Sequence, residues 1–282
     1  MAGVLTGSLR DQLAWASASL AEVGCQTPRL DAELLLAEVL GCERGDLVIR
    51  SGEQLTSDQR TRFLALLTRR VDREPIAYIL RRRDFRRLTL SIDPRALIPR
   101  PETELLVEVG LELPAGWRVA DVGTGSGAVA LALKDERPDL EVTGIELGRG
   151  ALSLARANGS RLRLDVSWVQ HDLLDDGVYD AVLANLPYVG DGEVLPVDVR
   201  EHEPASALFG GPDGLDVIRR LCDQVSLRHD VQLMALEIGF QQGEAVVVLV
   251  SGAGFSSVEV LADLAGLDRV VVGRRGSAAG EA

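Results

Sequence analysis

The sequence predicts an α/β protein: a doubly wound, mostly parallel sheet of seven strands, preceded by a small all-helical domain and joined to it by a β-hairpin. Three observations carry this. Apolar residues recur at three- and four-residue spacing through the first part of the chain, whereas beyond residue 117 short β-rich runs alternate with helical segments. The charge divides near the same place: residues 1–84 hold 12 basic and 12 acidic side chains, so residues 85–282 carry 18 basic against 31 acidic and the whole net charge of -13. A glycine-rich turn, Gly123 to Gly127, directly follows the first β-rich run.

Taken in order, Leu9, Leu13, Ala16, Leu20 and Val23 place an amphipathic helix over residues 8–23, ended by Gly24. Thr27 is a natural N-cap with Pro28 at the first helical position, and the apolar run through Leu34, Leu35, Leu36 and Val39 stops at Gly41. Thr56 or Ser57 caps a third helix reaching about Val71. From Phe85 the period changes to two: Leu88, Leu90 and Ile92 alternate with Arg87, Thr89 and Ser91, and Asp93-Pro94 marks a turn before Ala96-Leu97-Ile98, which predicts a hairpin. A helix over 102–112 follows. Strands are expected at 118–122, 141–145, 166–170, 180–184, 232–238, 256–261 and 269–272, with helices around 127–137, 149–158 and 213–228. No helix separates the last two strands, so the final one is expected to be antiparallel. The expected organisation is a helical domain over 1–84, a hairpin linker over 85–100, a sheet domain over 101–276 and a frayed tail over 277–282.

Composition excludes several classes. At 46% hydrophobic and 26% charged residues the chain is neither disordered nor fibrous, and no apolar stretch approaches the roughly 20 residues that span a bilayer. Arg10 and Asp11 interrupt the start before a signal peptide has built up, so a cytoplasmic protein is expected. Cys25, Cys42 and Cys222 are odd in number and lack C-x-x-C spacing, which supports buried thiols over a disulfide framework or zinc ribbon. A net charge of -13 argues against affinity built on neutralising many phosphates. Between Arg60 and Arg87, however, ten arginines face only Asp72, Glu74 and Asp84, a local +7 that includes Arg81 to Arg83. That run is either a solvated helix face or a docking surface for an acidic or nucleic-acid-bearing partner.

The chemistry is expected at the strand ends. Gly123-Thr124-Gly125-Ser126-Gly127 lets the backbone approach a ligand closely. Dinucleotide sites use G-x-G-x-x-G with a pyrophosphate at the helix N-terminus; here the spacing is G-x-G-x-G, and Asp121 precedes it, a poor neighbour for a pyrophosphate and a good one for an ammonium group. Glu146 ends the next strand, where a carboxylate accepts both hydroxyls of a ribose, and Asp172 ends the third, beside an adenine. The set fits S-adenosylmethionine better than a nicotinamide. Asn185-Leu186-Pro187-Tyr188 ends the strand at 180–184, beside the first, at the topological switch point where open α/β sheets bind ligands. A delocalised amide or aromatic amine is a poor nucleophile, so an enzyme methylating one must hold both its N–H groups. The Asn185 side-chain oxygen and the Leu186 carbonyl supply two acceptors, Pro187 fixes the turn and Tyr188 covers the planar group. Positioning and acceptors aimed at the developing positive nitrogen then supply the rate. His171, His202 and His229 read as structural, with His171 near the nucleoside pocket.

Several stretches resemble one family, the peptide-chain release factor glutamine methyltransferases (HemK or PrmC). They are Glu74 to Leu80, Leu97 to Glu104 (Leu-Ile-Pro-Arg-Pro-Glu-Thr-Glu), Asp121 to Gly127, Asn185 to Tyr188, Glu237-Ile238-Gly239 and Gln242-Gly243, over essentially the whole chain. The resemblance implies a Rossmann-like methyltransferase sheet and transfer of a methyl group from S-adenosyl-L-methionine, leaving S-adenosyl-L-homocysteine, to the side-chain amide nitrogen (N-5) of the glutamine in the Gly-Gly-Gln loop of release factors. It implies cofactor binding by Asp121, Gly123, Thr124, Gly125, Ser126, Gly127, Glu146, Asp172, Leu173 and Asn185; substrate binding by Asn185, Leu186, Pro187 and Tyr188; and catalysis by Asn185, Pro187 and Tyr188, with no metal. The helical domain is expected to grip the release factor, and Arg100, Glu102 and Glu104 to brace the pocket. Partners beyond that protein are not expected: no stable nucleic acid binding, no membrane, a monomer. The family's usual Asn-Pro-Pro-Tyr is Asn-Leu-Pro-Tyr here, a swap at a residue acting through its backbone; Arg81 replaces a usual Gly, and Glu146 a commoner Asp. Three alternatives remain: a sister enzyme methylating a ribosomal-protein glutamine, an adenine amino-methyltransferase on nucleic acid, and a non-catalytic nucleoside-binding scaffold.

Overall fold

The computed structural model describes residues 7–276, which form two units: a helical unit of residues 7–81 joined by Pro196–His202, and a sheet unit of the remainder. The expected frayed tail at 277–282 lies outside the described residues, as does the start of the chain through residue 6. Among the described residues no helix is long and apolar enough to cross a membrane.

The helical unit comprises α1 (Leu9–Glu22), α2 (Pro28–Leu40), α3 (Asp46–Ile49), α4 (Ser57–Val71) and α5 (Ile76–Leu80). Capping boxes start α1 (Ser8 with Asp11) and α4 (Thr56 with Gln59), each satisfying backbone N–H groups that the helix leaves orphaned. Thr27 precedes α2 as expected, but its hydroxyl donates to Asp31 at 2.8 Å instead of capping the backbone. Leu9, Leu13 and Leu20 of α1, Leu35 and Leu36 of α2, and Phe63 and Leu67 of α4 form the core. Within it Arg70 is buried, donating to Asp31 (2.7 Å) and to Asp198 (2.7 Å), and Arg73 pairs with the same Asp198. Asp198 arrives on the short helix later in the chain, which is why Pro196–His202 belongs with this unit, an assignment the sequence did not suggest. Arg69 pairs with Glu74. Asp31 and Asp198 thus offset two charges of the local +7 from outside the run, and Arg62 and Arg81 remain exposed.

The sheet unit opens with a hairpin whose position differs from expectation. Its strands are β1 (Arg82–Phe85) and β2 (Leu88–Ser91), paired with Phe85 opposite Leu88, so the turn falls at Arg86-Arg87 and not at Asp93-Pro94. Arg86 supplies the positive φ (+52°) usually left to glycine or asparagine, and Glu136 anchors its guanidinium at 2.8 Å. Residues 96–98 are not a strand. A 3-10 turn, Pro101–Thr103, leads into α6 (Glu104–Leu111), followed by β3 (Arg118–Val122), α7 (Ala128–Glu136), β4 (Glu141–Ile145), α8 (Arg149–Leu162), β5 (Ser167–Val169) and β6 (Ala181–Ala184). After α9 (Val197–His202) come α10 (Asp216–Ser226), β7 (Leu233–Glu237), α11 (Gly243–Gly252), β8 (Ser257–Ala262) and β9 (Asp268–Arg274).

The sheet order is β5-β4-β3-β6-β7-β9-β8, parallel except for β9, which runs antiparallel to both neighbours as expected. Successive residues of each strand face opposite sides. Val119, Leu183 and Ala235 pack under α6 and α7, whereas Ala120, Val182 and Met234 pack under α10 and α11. Both faces are therefore covered, which is why the strands are continuously apolar. The strand order reverses between β3 and β6, and the carboxyl ends of β4, β3, β6 and β7 lie side by side.

Candidate active site

β3 ends at Val122 because Gly123 (φ +74°) and Gly125 (φ +57°) take the left-handed region, which is costly for any residue with a Cβ. The N–H groups of Gly123 and Thr124 donate to the Ile145 carbonyl at 2.9 and 3.0 Å, tying the turn to the end of β4. Gly127 (φ +85°) then precedes α7. A Cβ on it would meet Trp168 at 2.9 Å, so this glycine serves the packing of the Trp168 ring.

Asp121 is buried, its Oδ2 accepting from the Thr124 hydroxyl (2.5 Å) and the Ala130 N–H (3.0 Å). Burial pushes its carboxyl up to about 6, against these two bonds, which favour the charged form. Glu146 ends β4 and clasps the loops on either side, with Oε2 accepting from Gly125 N–H (3.0 Å) and Oε1 from Gly148 N–H (2.7 Å). Asp172 is exposed and paired with Arg220 at 2.5 Å, and the buried Leu173 beside it holds a left-handed backbone (φ +65°).

Asn185 follows β6. Its Nδ2 donates to Thr103 Oγ1 at 3.1 Å, and no donor among the described residues reaches its Oδ1. The Tyr188 carbonyl accepts from Gln242 Nε2 at 2.9 Å, and its hydroxyl donates to Glu237 Oε1 at 3.4 Å. Burial, then the Glu237 charge, push the Tyr188 phenol up, so it stays protonated. Burial likewise pushes Glu237 up to about 7.

The strand ends enclose a cleft of about 240 Å³, more than ten times the space one water needs. Asp121, Gly123, Thr124, Gly125, Ser126, Glu146, Asp172, Leu173, Asn185, Leu186 and Pro187 line it, with His171; Gly127 and Tyr188 lie outside the lining. His202 instead reaches the Asp72 carbonyl at 3.3 Å in the helical unit. Of the expected braces, Arg100 pairs with Glu203 at 2.5 Å, and Glu104 accepts from the Arg86 N–H at 3.2 Å.

Four contributors were given no role by the sequence reading, although Thr103 lies in the stretch Leu97 to Glu104 that carries the resemblance. Glu203, buried, accepts from the Ile98 N–H (3.1 Å) as well as from Arg100 and so fixes the wall segment through Pro99. Asn158 bridges Ser91 and Ser126, tying the hairpin to the glycine turn. Thr103 holds Asn185. The loop at 209–215 backs the Asn185–Tyr188 turn, and a Cβ on its Gly210 would lie 2.4 Å from the Pro187 carbonyl oxygen. Of the other three, only this loop carried a signal, the dense Gly210-Gly211-Pro212-Asp213-Gly214.

Acceptors at the end of β6 thus stand next to a glycine turn at the reversal of strand order, and holding an N–H-bearing group against a ligand on that turn is group-transfer chemistry. Fold and site define a methyltransferase with a Rossmann-like sheet. Known proteins sharpen the class. Residues 11–80 match the PrmC N-terminal domain and residues 101–200 the methyltransferase small domain. The release factor glutamine methyltransferase of Neisseria gonorrhoeae is 41% identical over 256 residues, 88% of this chain and 93% of that one. That of Geobacter sulfurreducens is 37% identical over 277 residues, 95% of this chain and 97% of that one. A solved methyltransferase from Pyrococcus furiosus shares the sheet fold, with a TM-score of 0.52 and 16% identity over 66% of this chain and 88% of that one. The chain belongs to the release factor glutamine methyltransferase family.

Proposed function

We propose that the chain transfers a methyl group from S-adenosyl-L-methionine to the side-chain amide nitrogen of the glutamine in the Gly-Gly-Gln loop of peptide chain release factors. The observation that carries this is the Asn185 amide, held by Thr103 through Nδ2 with Oδ1 left to accept, on the wall of the cleft. Family membership over nearly the whole chain supports the protein substrate.

The cleft suits the cofactor. A Cβ on Gly125 would have its nearest neighbour only at 3.9 Å, so glycine there leaves open space at the turn that a side chain would fill. Glu146 uses one lone pair of each oxygen on backbone N–H groups and keeps others for two ribose hydroxyls. Asp121 gives the turn a negative charge suited to an ammonium group, with Gly123, Thr124, Ser126 and Gly127 shaping the backbone around the methionine portion and Asp172 and Leu173 flanking the adenine. When bound, the cofactor supplies an electrophilic methyl on a positively charged sulfur and leaves as S-adenosyl-L-homocysteine.

The chain's own part is to hold the other reactant. Asn185 Oδ1 and the Leu186 carbonyl accept the two N–H groups of the glutamine amide, fixing its plane. Pro187 sets the turn, and the protonated Tyr188 closes over the planar group. The negative ends of these acceptors stabilise the positive charge that builds on nitrogen, which then releases one proton. The helical unit serves substrate recognition, and the enzyme works in the cytoplasm as a monomer without stable nucleic acid binding. A ribosomal-protein glutamine would suit the same turn. An adenine amino group on nucleic acid is disfavoured by the net charge of -13. The test offers labelled cofactor with a release factor, ribosomal proteins and ribosomal RNA side by side. Label on the release factor supports the reading; label only on one of the others replaces it.

A further inference from the structure

We propose that Gln242 positions the substrate turn: its carboxamide clips Tyr188 by the backbone and so fixes where the Leu186 carbonyl and the Tyr188 ring meet the substrate amide. This rests on the reading above that the Asn185–Tyr188 turn holds that amide. Gln242-Gly243 and Glu237-Ile238-Gly239 carry the family resemblance, yet neither has a part in the cofactor or substrate assignments.

The turn is tethered at both ends. Upstream, Ala184 pairs in the sheet with Val122 and Leu236, and Thr103 holds Asn185 Nδ2. Downstream, the Val189 N–H donates to the Leu208 carbonyl and its carbonyl accepts from the Gly210 N–H, each at 2.9 Å. Between them, the one hydrogen bond to the backbone of Leu186 to Tyr188 among the described residues comes from Gln242, whose Nε2 donates to the Tyr188 carbonyl at 2.9 Å. Nε2 donates also to the Asp213 carbonyl (3.2 Å), and Oε1 accepts from the Gly239 N–H (2.9 Å). One side chain thereby joins the substrate turn, the loop at 209–215 and the turn after β7.

The direction of this clip is fixed by chemistry. A carboxamide has donors at one end and acceptors at the other; two carbonyls face the donor end here and an N–H faces the acceptor end, so the reversed amide would set like against like. Glycines make room for it. A Cβ on Gly239 would lie 3.0 Å from Gln242 Oε1, and one on Gly214 would lie 2.8 Å from Nε2. A Cβ on Gly243 would lie 2.6 Å from Asp268 Oδ2, so glycine there lets α11 start against β9 directly after Gln242. The Pro187 ring locks φ between the clipped carbonyl and Leu186, so a displacement at Tyr188 is carried back to the Leu186 carbonyl. Gln242 does not line the cleft and is a positioning residue.

Gln242→Glu is the discriminating variant. It keeps the size and the acceptor for Gly239, but once ionised it sets an oxygen with no proton against the Tyr188 and Asp213 carbonyls; protonated, it can donate to Tyr188 again. The acids on the elements around position 242 are Asp213, Glu237, Glu244 and Asp268, and the cations Arg219 and Arg269 are already paired, with Asp213 and Asp263. The carbonyls and these acids therefore hold the new carboxyl protonated to a higher pH than a free glutamate, about 4.3.

The experiment measures methyl transfer to a release factor by wild type, Gln242→Glu and Gln242→Met between about pH 8 and about pH 5, each variant relative to wild type at the same pH. Cofactor affinity is read by calorimetry and the Tyr188 ring signals by NMR, where the chain has only three tyrosines to assign. At the alkaline end both variants should lower kcat about ten- to a hundredfold with cofactor affinity unchanged. As pH falls, Gln242→Glu should climb back toward wild type and its Tyr188 ring signals should return with it, whereas Gln242→Met, with no proton to regain, should stay low. Wild-type kcat in either variant at the alkaline end, or a Gln242→Glu deficit that is the same at every pH, overturns the proposal. If wild type leaves the release factor unmethylated, the substrate reading has failed instead, and the ring signals still decide whether Gln242 holds the turn.

Discussion

Gly214 passes so close to Tyr188 that a Cβ built on it would lie 2.1 Å from the Tyr188 carbonyl oxygen, and its φ of +76° is left-handed. The substrate turn is thus pressed from behind by a second glycine turn, with Gln242 bonded to that same carbonyl. Gly214→Ala is expected to push Tyr188 out of place, lowering methyl transfer more than about tenfold and costing about 1–2 kcal/mol of stability. Turnover and denaturant unfolding check this. Wild-type turnover in the mutant would mean that the loop does not hold the turn.

Asn185→Ala removes the acceptor for one substrate N–H. By analogy with deleting one preorganised partner in an active site, methyl transfer is expected to fall about 10²–10³-fold. Calorimetry should show cofactor affinity preserved. Equal activity in the mutant rules out the amide clamp.

Glu146→Ala should act oppositely, weakening cofactor binding about ten- to a hundredfold, the worth of a hydrogen bond to a charged group. Equilibrium dialysis with S-adenosylhomocysteine is sufficient. Unchanged affinity would remove Glu146 from the ribose site.

Asp121 carries a pH prediction. Its carboxyl is raised from 3.8 to about 6 in the folded chain, mainly by burial. The folded state therefore favours the protonated form: its contribution to stability is fully present below pH 3.8 and is lost as pH rises through about 6. Asp121→Asn should be more stable than wild type at pH 8, by about 3 kcal/mol at most, with the gap closing toward pH 4. It should also weaken cofactor binding. Denaturant midpoints at the two pH values read the sign directly, and a mutant less stable at pH 8 contradicts it.

In the helical unit, Arg70→Ala leaves Asp31 buried without its ionic partner and Asp198 with Arg73 alone. Losing one member of a buried ion pair costs about 3–5 kcal/mol. Thermal unfolding should show a correspondingly lower transition for this unit; a shift worth under about 1 kcal/mol would mean that the pair is well solvated.

The parts of this fold that were legible are those with local causes. β3, β4, β6 and β7 were readable because each is a buried β-rich run ended by residues with turn chemistry, and Glu146 and Asn185 were readable because they sit at those ends. α11 was not, because Val246-Val247-Val248-Leu249-Val250 is β-branched at every residue but Leu249 and Val248 is apolar on the solvent side, which erases the helical stripe; packing against β8 and β9 decides for helix. The hairpin was displaced because its turn uses Arg86 where turn chemistry leads one to look for glycine or for Asp93-Pro94. Thr103 and Glu237 lie in stretches that carry the resemblance, but what they touch was not legible, for a different reason. They meet around Asn185 and Tyr188 only because β6 and β7 are neighbours in the sheet and the Pro101–Thr103 turn sits by their ends. The partners of the net positive run at Arg60–Arg87 were hidden in the same way, since Asp31, Glu136 and Asp198, which pair with Arg70, Arg86 and Arg73, are distant in sequence.

The most direct test of the central claim is mass spectrometry of the Gly-Gly-Gln peptide from a release factor incubated with S-adenosylmethionine and either wild type or Asn185→Ala. One added methyl on that glutamine with wild type and none with the mutant is the expected result. An unmodified glutamine with the wild-type enzyme, or equal methylation by both, would contradict it.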